Sequence, residues 1–181
     1  TELQQRVQQL EGELRRLADE VHTDVLTQVA NRRGLEASFA AECARLQRAP
    51  APLAVGLLDI DNFKKLNDTL GHAAGDKALQ ALAARVHDGL RPGDTVARFG
   101  GEEFVVLLPG TPADEAQQML TRLQRALSAS LFMHDSREIF VTFSAGVTAY
   151  RAGESLPTAL ERADEALYEA KRTGKNRTCV G

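Results

Sequence analysis

The spacing of apolar residues separates a short N-terminal segment from the rest of the chain. In residues 1–22, apolar side chains recur at alternating intervals of four and three, which is the heptad pattern of a coiled coil. They are Leu3, Val7, Leu10, Leu14, Leu17 and Val21. Arg6 and Glu11 occupy flanking positions where charges can pair between parallel helices. We therefore expect residues 1–22 to form a dimeric coiled coil; the alternative is an amphipathic helix packed on its own domain.

Residues 23–181 alternate between helical and extended patterns, which predicts one α/β (α+β) domain. Helical spacing of apolar residues recurs in four stretches, namely 35–46, 76–86, 116–127 and 157–170. Strands and a β-hairpin are predicted by apolar runs at 53–58, 96–99, 104–108 and 139–147. Because a hairpin is antiparallel, this order predicts a central mixed or antiparallel sheet flanked by helices.

Composition narrows the classes of function. The chain has 181 residues and a formal net charge of −3, which argues against non-specific binding of nucleic acid. Cys43 and Cys179 show neither metal-ligand spacing nor a disulfide framework, so we expect a reducing, cytoplasmic setting. No apolar run is as long as a membrane span. Because Thr1 is not a natural start, we expect a piece of a longer protein, whose preceding part holds a sensor or receiver domain, or a membrane anchor.

Acidic residues gather at two places in the predicted sheet. Asp59 and Asp61 follow the strand at 53–58, and Glu102 and Glu103 follow two glycines in the hairpin. Carboxylates grouped beside a nucleotide usually hold Mg²⁺, which prefers oxygen ligands. Asp59 and Asp61 point to the same side of an extended backbone, so their spacing does not decide which one binds. A D-x-D motif in isolation is more often a solvated strand end.

Glycine and amide residues point to a guanine nucleotide. Gly100 and Gly101 predict a tight turn with positive φ, and their missing Cβ atoms let the backbone approach a polyphosphate. Asp76 can accept hydrogen bonds from the N1–H and N2–H groups of guanine, and the amide of Asn67 suits the mixed edge of that base. The alternative is that Asn67 and Asp76 merely cap turns or helices.

The segment Arg98–Phe104 reads Arg-Phe-Gly-Gly-Glu-Glu-Phe and resembles the signature of the GGDEF family of diguanylate cyclases, in its GGEEF form. The resemblance extends over about residues 22–178. It includes Asp-Val-Leu-Thr-Gln-Val-Ala-Asn-Arg-Arg at 24–33, the stretch 59–76, and a closing motif at 168–177. Gln28 stands where the family has glycine and Val29 where it has leucine. We expect that departure to alter the turn between coil and domain.

The resemblance implies a fold related to polymerase palm and nucleotidyl cyclase domains. It implies condensation of two GTP molecules to cyclic di-GMP, with release of two pyrophosphates, in a homodimer that uses Mg²⁺ or, as a substitute, Mn²⁺. It assigns metal ligation to Asp59, the Ile60 carbonyl and Glu102, and it places Glu103 beside them in the catalytic group. The substrate-binding positions that it assigns are Phe63, Lys64, Asn67, Asp76, Gly100, Gly101, Lys171 and Lys175. The alternative for the last two lysines is that they compensate the helix macrodipole.

A second ligand site is implied by Arg91 and Asp94, an R-x-x-D pair that in the family binds the cyclic dinucleotide product and inhibits the enzyme. Arginine suits phosphate and guanine edges, and aspartate accepts from guanine N–H groups. Arg122 and Arg45 are further candidates for this site, although no motif assigns either of them to it. Arg-Pro-Gly-Asp is also an ordinary turn sequence. The alternative function is a catalytically silent module that senses cyclic di-GMP through this pair, and the complete set of acids disfavours it.

Overall fold

A five-stranded mixed sheet forms the centre of the fold. The computed structural model describes residues 1–181. In chain order the strands of the sheet are β1 (Leu53–Ile60), β2 (Thr95–Arg98), β3 (Glu103–Pro109), β6 (Phe143–Ala149) and β7 (Thr178–Val180), and β4 (Phe132–His134) and β5 (Arg137–Ile139) form a separate ribbon. The spatial order is β2-β3-β1-β6-β7, and every neighbouring pair is antiparallel except β6 and β7.

Six helices accompany the sheet. They are α1 (Glu2–His22), α2 (Arg32–Arg48), α3 (Phe63–Leu70), α4 (His72–Gly89), α5 (Ala113–Ser128) and α6 (Leu156–Arg172). Helices α2 and α6 pack on one face of the sheet, and α4 and α5 pack on the other. The predicted mixed sheet flanked by helices is confirmed. None of the six helices combines the length and the apolar character that a membrane crossing requires.

Strand β1 lies between β3 and β6 and is buried along its whole length. Its side chains alternate between the two faces, so Leu57 packs with α2 and α6 while Leu58 packs with α4 and α5. Asp59 follows the same alternation and faces the α6 side. The burial of β1 on both faces explains why its sequence reads as a continuous apolar run that ends in acids.

Gly146 lets α6 lie directly against β6. A Cβ on Gly146 would come within 1.9 Å of the Ala163 carbonyl oxygen and 2.3 Å of the Leu167 amide nitrogen. Such distances leave no room for any larger residue. The close approach brings the C-terminal turn of α6 over the end of β1, where the predicted site lies.

Helix α1 projects its apolar stripe into solvent. The six heptad residues named above are between 44% and 74% exposed, and α1 contains no buried residue. The alternative of an amphipathic helix packed on its own domain is therefore wrong. The helix is present over the predicted length, and its pairing with a second copy stays a prediction.

The junction between α1 and the domain is anchored to strand β2. Thr23 forms an antiparallel bridge with Ala30, and Ala30 forms a parallel bridge with Ala97. Gln28 adopts φ 61°, and its side-chain amide donates to the Val25 carbonyl at 2.7 Å. The left-handed conformation is one that glycine adopts readily, so glutamine at this position retains a turn that suits glycine.

Two predicted elements differ from the structure. The apolar run 139–147 is not one strand, because the chain leaves the β4–β5 ribbon after Ile139 and enters the sheet only at Phe143. The helix expected from Asp76 begins at His72, and it is preceded by α3, which the apolar pattern did not predict. Helix α3 has only eight residues, too few for a clear helical repeat.

Candidate active site

The register between β1 and β3 brings the predicted acids together. Asp59 lies opposite Glu103, the first residue of β3. The loop between β2 and β3 returns to β1, where the Ile60 amide donates to the Glu102 carbonyl at 3.4 Å. Asp59 lies close enough to Glu102 for its charge to raise the pKa of Glu102. Two distant segments of the sequence therefore supply one cluster of carboxylates, which we call the acidic cluster: Asp59, Glu102 and Glu103.

The loop glycines do not adopt the predicted positive φ, so that prediction was wrong. Four residues connect Arg98 to Glu103, and the amides of Phe99 and Gly100 donate to the Glu103 carbonyl at 2.8 and 3.2 Å. This wider loop does not need the left-handed conformation of a two-residue hairpin turn. A Cβ on Gly101 would meet no atom within 4 Å, so this side of the loop is open to a ligand.

Like charges at close range dominate the electrostatics of the acidic cluster. Burial raises the pKa of Glu102 and that of Glu103, and the charge of Asp59 raises both pKa values further. Lys171 on α6 opposes this effect, because its Nζ donates to Asp59 Oδ2 at 2.8 Å. Lys171 and Arg32, which also lowers the pKa of Glu103, are outnumbered by the three carboxylates, so the cluster favours a bound cation.

The donor atoms of the acidic cluster fit Mg²⁺. Asp59 Oδ1 is buried without a hydrogen-bond partner, and such an oxygen is costly unless a cation or a proton meets it. No set of three or more His, Cys, Asp or Glu side chains is arranged as a metal site that is complete by itself. This arrangement suits Mg²⁺, which usually binds through one or two carboxylates and takes further oxygens from phosphates and water.

Asp61 shares the buried edge with Asp59 but has different partners. Its carboxylate accepts hydrogen bonds from Thr142, Ser144 and the backbone amide of Asn176. Both of its oxygens are therefore engaged, whereas Asp59 keeps one without a partner. The structure thus favours Asp59 over Asp61 as the ligand of a cation, a choice that the spacing in the sequence left open.

A cradle between α3 and α4 holds the predicted guanine-binding residues. Asn67 on α3 lies against Gly75 on α4, where an added Cβ would be 1.8 Å from Asn67 Oδ1 and 3.2 Å from the ring of Phe63. Asn67 Oδ1 is buried and has no hydrogen-bond partner within the chain. Asp76 follows Gly75 directly and is exposed. An orphaned amide oxygen beside an exposed carboxylate suits a base with both donors and acceptors.

The predicted phosphate lysines reach the site from two directions. Lys171 contacts Asp59, and Lys175 donates to Asn62 Oδ1 at 2.7 Å. Lys64 is exposed in the first turn of α3. The structure therefore brings Lys171 and Lys175 to the end of β1, and it leaves Lys64 on the adjoining surface.

Arg91 and Asp94 form a compact turn apart from the acidic cluster. The Arg91 amide donates to Asp94 Oδ2 at 3.0 Å, and its guanidinium contacts the same oxygen and Thr111. Arg91 and Arg122 line one cavity of about 510 Å³. Arg45 lies on α2, where it pairs with Glu42, and it does not line that cavity. The structure therefore groups Arg122 with Arg91 of the R-x-x-D pair and does not bring Arg45 there.

Residues 21–177 match the family model described as diguanylate cyclase, GGDEF domain. The chain belongs to the GGDEF family. It is 46% identical over 155 residues to the diguanylate cyclase DgcP of Pseudomonas aeruginosa, a match that covers 86% of this chain. The match spans 23% of DgcP, so the chain corresponds to about a quarter of that relative.

Two solved structures show the same architecture. The coiled coil and GGDEF domain of DgcB from Caulobacter crescentus, in complex with c-di-GMP, superposes with a TM-score of 0.91 at 30% identity and covers 99% of this chain and 96% of that one. The active GGEEF domain of a diguanylate cyclase from Vibrio cholerae superposes with a TM-score of 0.77 at 35% identity and covers 84% of this chain and 97% of that one. The first similarity covers almost the whole chain and therefore includes α1.

Sequence reasoning missed the contacts that brace the GGDEF hairpin. Arg32 lies over the Phe99 ring at 4.0 Å and donates to the Phe99 carbonyl at 3.0 Å. Arg98 donates to the Gly101 carbonyl at 2.8 Å and pairs with Asp24 at 3.5 Å. Both arginines lie within the family motifs described above. Phe99, the partner of Arg32, and Asp24, the partner of Arg98, are distant in sequence, so no local pattern identifies these contacts.

We predict that Gly75→Ala weakens binding of GTP without destabilising the fold. The new methyl group displaces Asn67, so affinity for a non-hydrolysable GTP analogue should fall about tenfold, the size of one lost hydrogen bond to a ligand. The free energy of unfolding should stay within about 1 kcal/mol, because alanine is the better helix former. Titration calorimetry and urea denaturation measure the two effects.

The control for this change is Gly12→Ala, where the added methyl group meets no atom within 4 Å. This variant should bind the analogue like the wild type and gain up to about 1 kcal/mol in stability. Unchanged affinity in Gly75→Ala would contradict the assignment of Asn67 to the base.

We predict that Glu102→Gln stabilises the metal-free domain at neutral pH. The raised pKa means that folding favours the protonated form of Glu102, so its contribution to stability is lost as pH rises through that pKa. The gain of the variant over the wild type should be largest at pH 7 and shrink towards pH 4. It should stay below about 1 kcal/mol, because the side chain is partly exposed.

Urea denaturation in the presence of EDTA at both pH values measures this difference. Glu169→Gln, which alters an exposed glutamate paired with Arg172, serves as the control and should show no gain. A Glu102→Gln variant that is less stable than the wild type at pH 7 would refute a strained acidic cluster.

Proposed function

We propose that this GGDEF domain condenses two molecules of GTP into cyclic di-GMP and releases two pyrophosphates. The observation that carries the proposal is the acidic cluster, in which Asp59 meets Glu102 and Glu103 from a separate hairpin beside Lys171 of α6. The name of the Vibrio cholerae relative, an active GGEEF domain, supports activity for the glutamate form of the motif.

In this proposal Asp59, the Ile60 carbonyl and Glu102 hold Mg²⁺, with Mn²⁺ as its substitute. The bound ion supplies two effects, a lower pKa of the ribose 3′-OH and neutralisation of charge at the α-phosphate. Glu103 accepts the proton of the attacking hydroxyl, a role that its raised pKa favours. A bond forms between the 3′-oxygen and the α-phosphorus, while the bond from that phosphorus to the leaving pyrophosphate breaks.

The remaining residues bind and orient the substrate. Asn67 and Asp76 hold the guanine, with Phe63 and Gly75 shaping the cradle. The triphosphate is bound by the cationic side chains Lys64, Lys171 and Lys175 and by the open hairpin glycines, Gly100 and Gly101. Lys171 is the counter-ion of Asp59 in the structure. A cation bound to Asp59 would release this ammonium group to phosphate.

Dimerisation belongs to the proposed mechanism. One domain carries one guanine cradle, and the reaction joins two guanosine nucleotides. The exposed apolar stripe of α1 suits pairing with the same stripe of a second copy. The coil is also connected to the hairpin, because Asp24 at the junction pairs with Arg98 beside the loop. A change in the coil could thereby reach the acidic cluster of each copy.

The first test is incubation of the purified chain with GTP and MgCl₂, followed by chromatography of the products. The wild type should form cyclic di-GMP and pyrophosphate in a 1:2 ratio. Asp59→Ala and Glu102→Ala should lose at least about 100-fold in rate, as expected for metal ligands. The exposed-carboxylate variant Glu169→Ala should retain activity. Cyclisation of a single GTP, or no turnover by the wild type, would overturn the assignment.

The same assay tests the dimer through the coil. Leu10→Asp with Leu14→Asp should yield monomers in analytical ultracentrifugation and lose most of the activity at low protein concentration. Gln5→Asp with Gln9→Asp adds the same charge on the outward face of the heptads and should behave like the wild type. A monomeric variant with full turnover at low concentration would exclude an obligate dimer.

The R-x-x-D turn is proposed as a site of product inhibition. Arg91 and Arg122 line one cavity, and the buried carboxylate of Asp94 fixes the backbone of Arg91. Added cyclic di-GMP should inhibit the wild type, and Arg91→Ala should relieve that inhibition about tenfold or more while the rate without product is unchanged. Equal inhibition of both proteins would place the inhibitory site elsewhere.

A further inference from the structure

Asp61 is a buried carboxylate that neither cation nor substrate explains. It is 9% exposed and has no salt-bridge partner. Three donors satisfy it instead: Ser144 Oγ at 2.6 Å, Thr142 Oγ1 at 2.8 Å and the Asn176 amide at 3.0 Å. Its oxygens are engaged by these donors, so it is not the ligand of a metal.

The donors of Asp61 come from two different parts of the chain. Thr142 and Ser144 belong to the approach and start of β6, while Asn176 belongs to the turn that joins α6 to β7. The Asn176 amide also donates to Ser144 Oγ at 3.2 Å. Asp61 therefore fastens the turn after α6 to the edge of the central sheet.

That turn has an unfavourable backbone conformation. Lys175 and Asn176 are consecutive left-handed residues, with φ 64° and 48°, and neither is glycine. A lysine rarely adopts this conformation unless other contacts hold it there, whereas asparagine adopts it more readily. The fixed N–H of Asn176, which donates to Asp61, is such a contact.

Asn62, the residue after Asp61, holds the other end of the same turn. It is also left-handed, with φ 57°, and its Oδ1 accepts from Lys175 Nζ at 2.7 Å. Two adjacent residues therefore contact the turn. Asp61 accepts from the backbone amide of Asn176, and Asn62 accepts from the ammonium group of Lys175. The position of that ammonium group depends on both contacts.

We propose that Asp61 is a positioning residue for Lys175. It fixes the left-handed turn and thereby holds the ammonium group at the end of β1, where the triphosphate of the nucleotide would bind. This inference rests on the proposed function only in taking Lys175 as a phosphate ligand. It separates the two aspartates of the D-x-D motif into a cation ligand, Asp59, and a hydrogen-bond acceptor that organises the phosphate site.

The test compares affinities for a non-hydrolysable GTP analogue and for GMP, at constant Mg²⁺, by titration calorimetry. Asp61→Ala and Lys175→Ala should each weaken the analogue about tenfold and leave GMP within twofold, because GMP lacks the β- and γ-phosphates. The double variant should bind the analogue no more weakly than Lys175→Ala alone, since Asp61 acts through that lysine.

Asp61→Asn is the discriminating variant. An amide oxygen in the place of Oδ2 can still accept from the Asn176 N–H and the Thr142 hydroxyl, and the Ser144 hydroxyl can turn to accept from the amide nitrogen. Affinity for the analogue should therefore stay within about threefold of the wild type. If Asp61 were a metal ligand, Asp61→Asn would lose as much as Asp61→Ala. Thr142→Val, which removes one donor and leaves the turn contact, should bind like the wild type.

Circular dichroism identifies the variants that fold. If Asp61→Ala does not fold, Asp61→Ser replaces it, because serine keeps a hydroxyl near Ser144 but is one bond shorter towards Asn176. Parallel losses for GMP and the analogue, or losses that multiply in the double variant, would overturn the positioning role. A wild type that binds the analogue no better than GMP would instead overturn the triphosphate site of the proposed function.

Discussion

The rest of the structure depends on one unfavourable interaction, the close approach of three carboxylates at the end of β1. The β1–β3 register enforces it by placing Asp59 opposite Glu103, and the hairpin adds Glu102. Such a cluster persists only because surrounding contacts hold it. Lys171 offsets part of the charge, and it reaches Asp59 because Gly146 lets α6 lie directly on β6. The packing of the central sheet and the chemistry of the site therefore have a common physical origin.

The sequence predicts those parts of the fold that local pattern controls. The apolar run of β1, the heptads of α1 and the amphipathic stretch of α6 all form the predicted elements, because burial on defined faces imposes their periodicity. The run 139–147 does not show where one strand ends, since a strand of the ribbon and a strand of the sheet adjoin there with similar apolar residues. Gly100 and Gly101 do not fix the turn, because the number of loop residues, not glycine content alone, sets the φ angles of a hairpin.

Side-chain partners across long sequence separations lie beyond what the pattern predicts. Asp59 and Asp61 are equivalent by spacing, and only the three-dimensional structure separates an oxygen without a partner from a fully satisfied carboxylate. Thr142 and Ser144 offered a signal in retrospect, because two hydroxyl residues interrupt an otherwise apolar run beside a buried strand. A buried polar residue requires a partner, so such interruptions indicate where a buried acid is held.

Four of the six left-handed residues other than glycine lie in the two functional regions, and the other two, Asp135 and Ser136, lie in the turn of the β4–β5 ribbon. Asn62, Lys175 and Asn176 lie around the end of β1, and Gln28 lies at the junction with the coil. Strained backbone of this kind persists where neighbouring contacts over-determine it, and here those contacts are hydrogen bonds that cross between elements. At the junction, Arg98 links two segments, because it pairs with Asp24 and donates to the Gly101 carbonyl. Because Gly101 precedes Glu102, a displacement of the junction would act on the backbone of the acidic cluster, and it would also act on α4, where Gln80 donates to the Leu26 carbonyl at 3.2 Å.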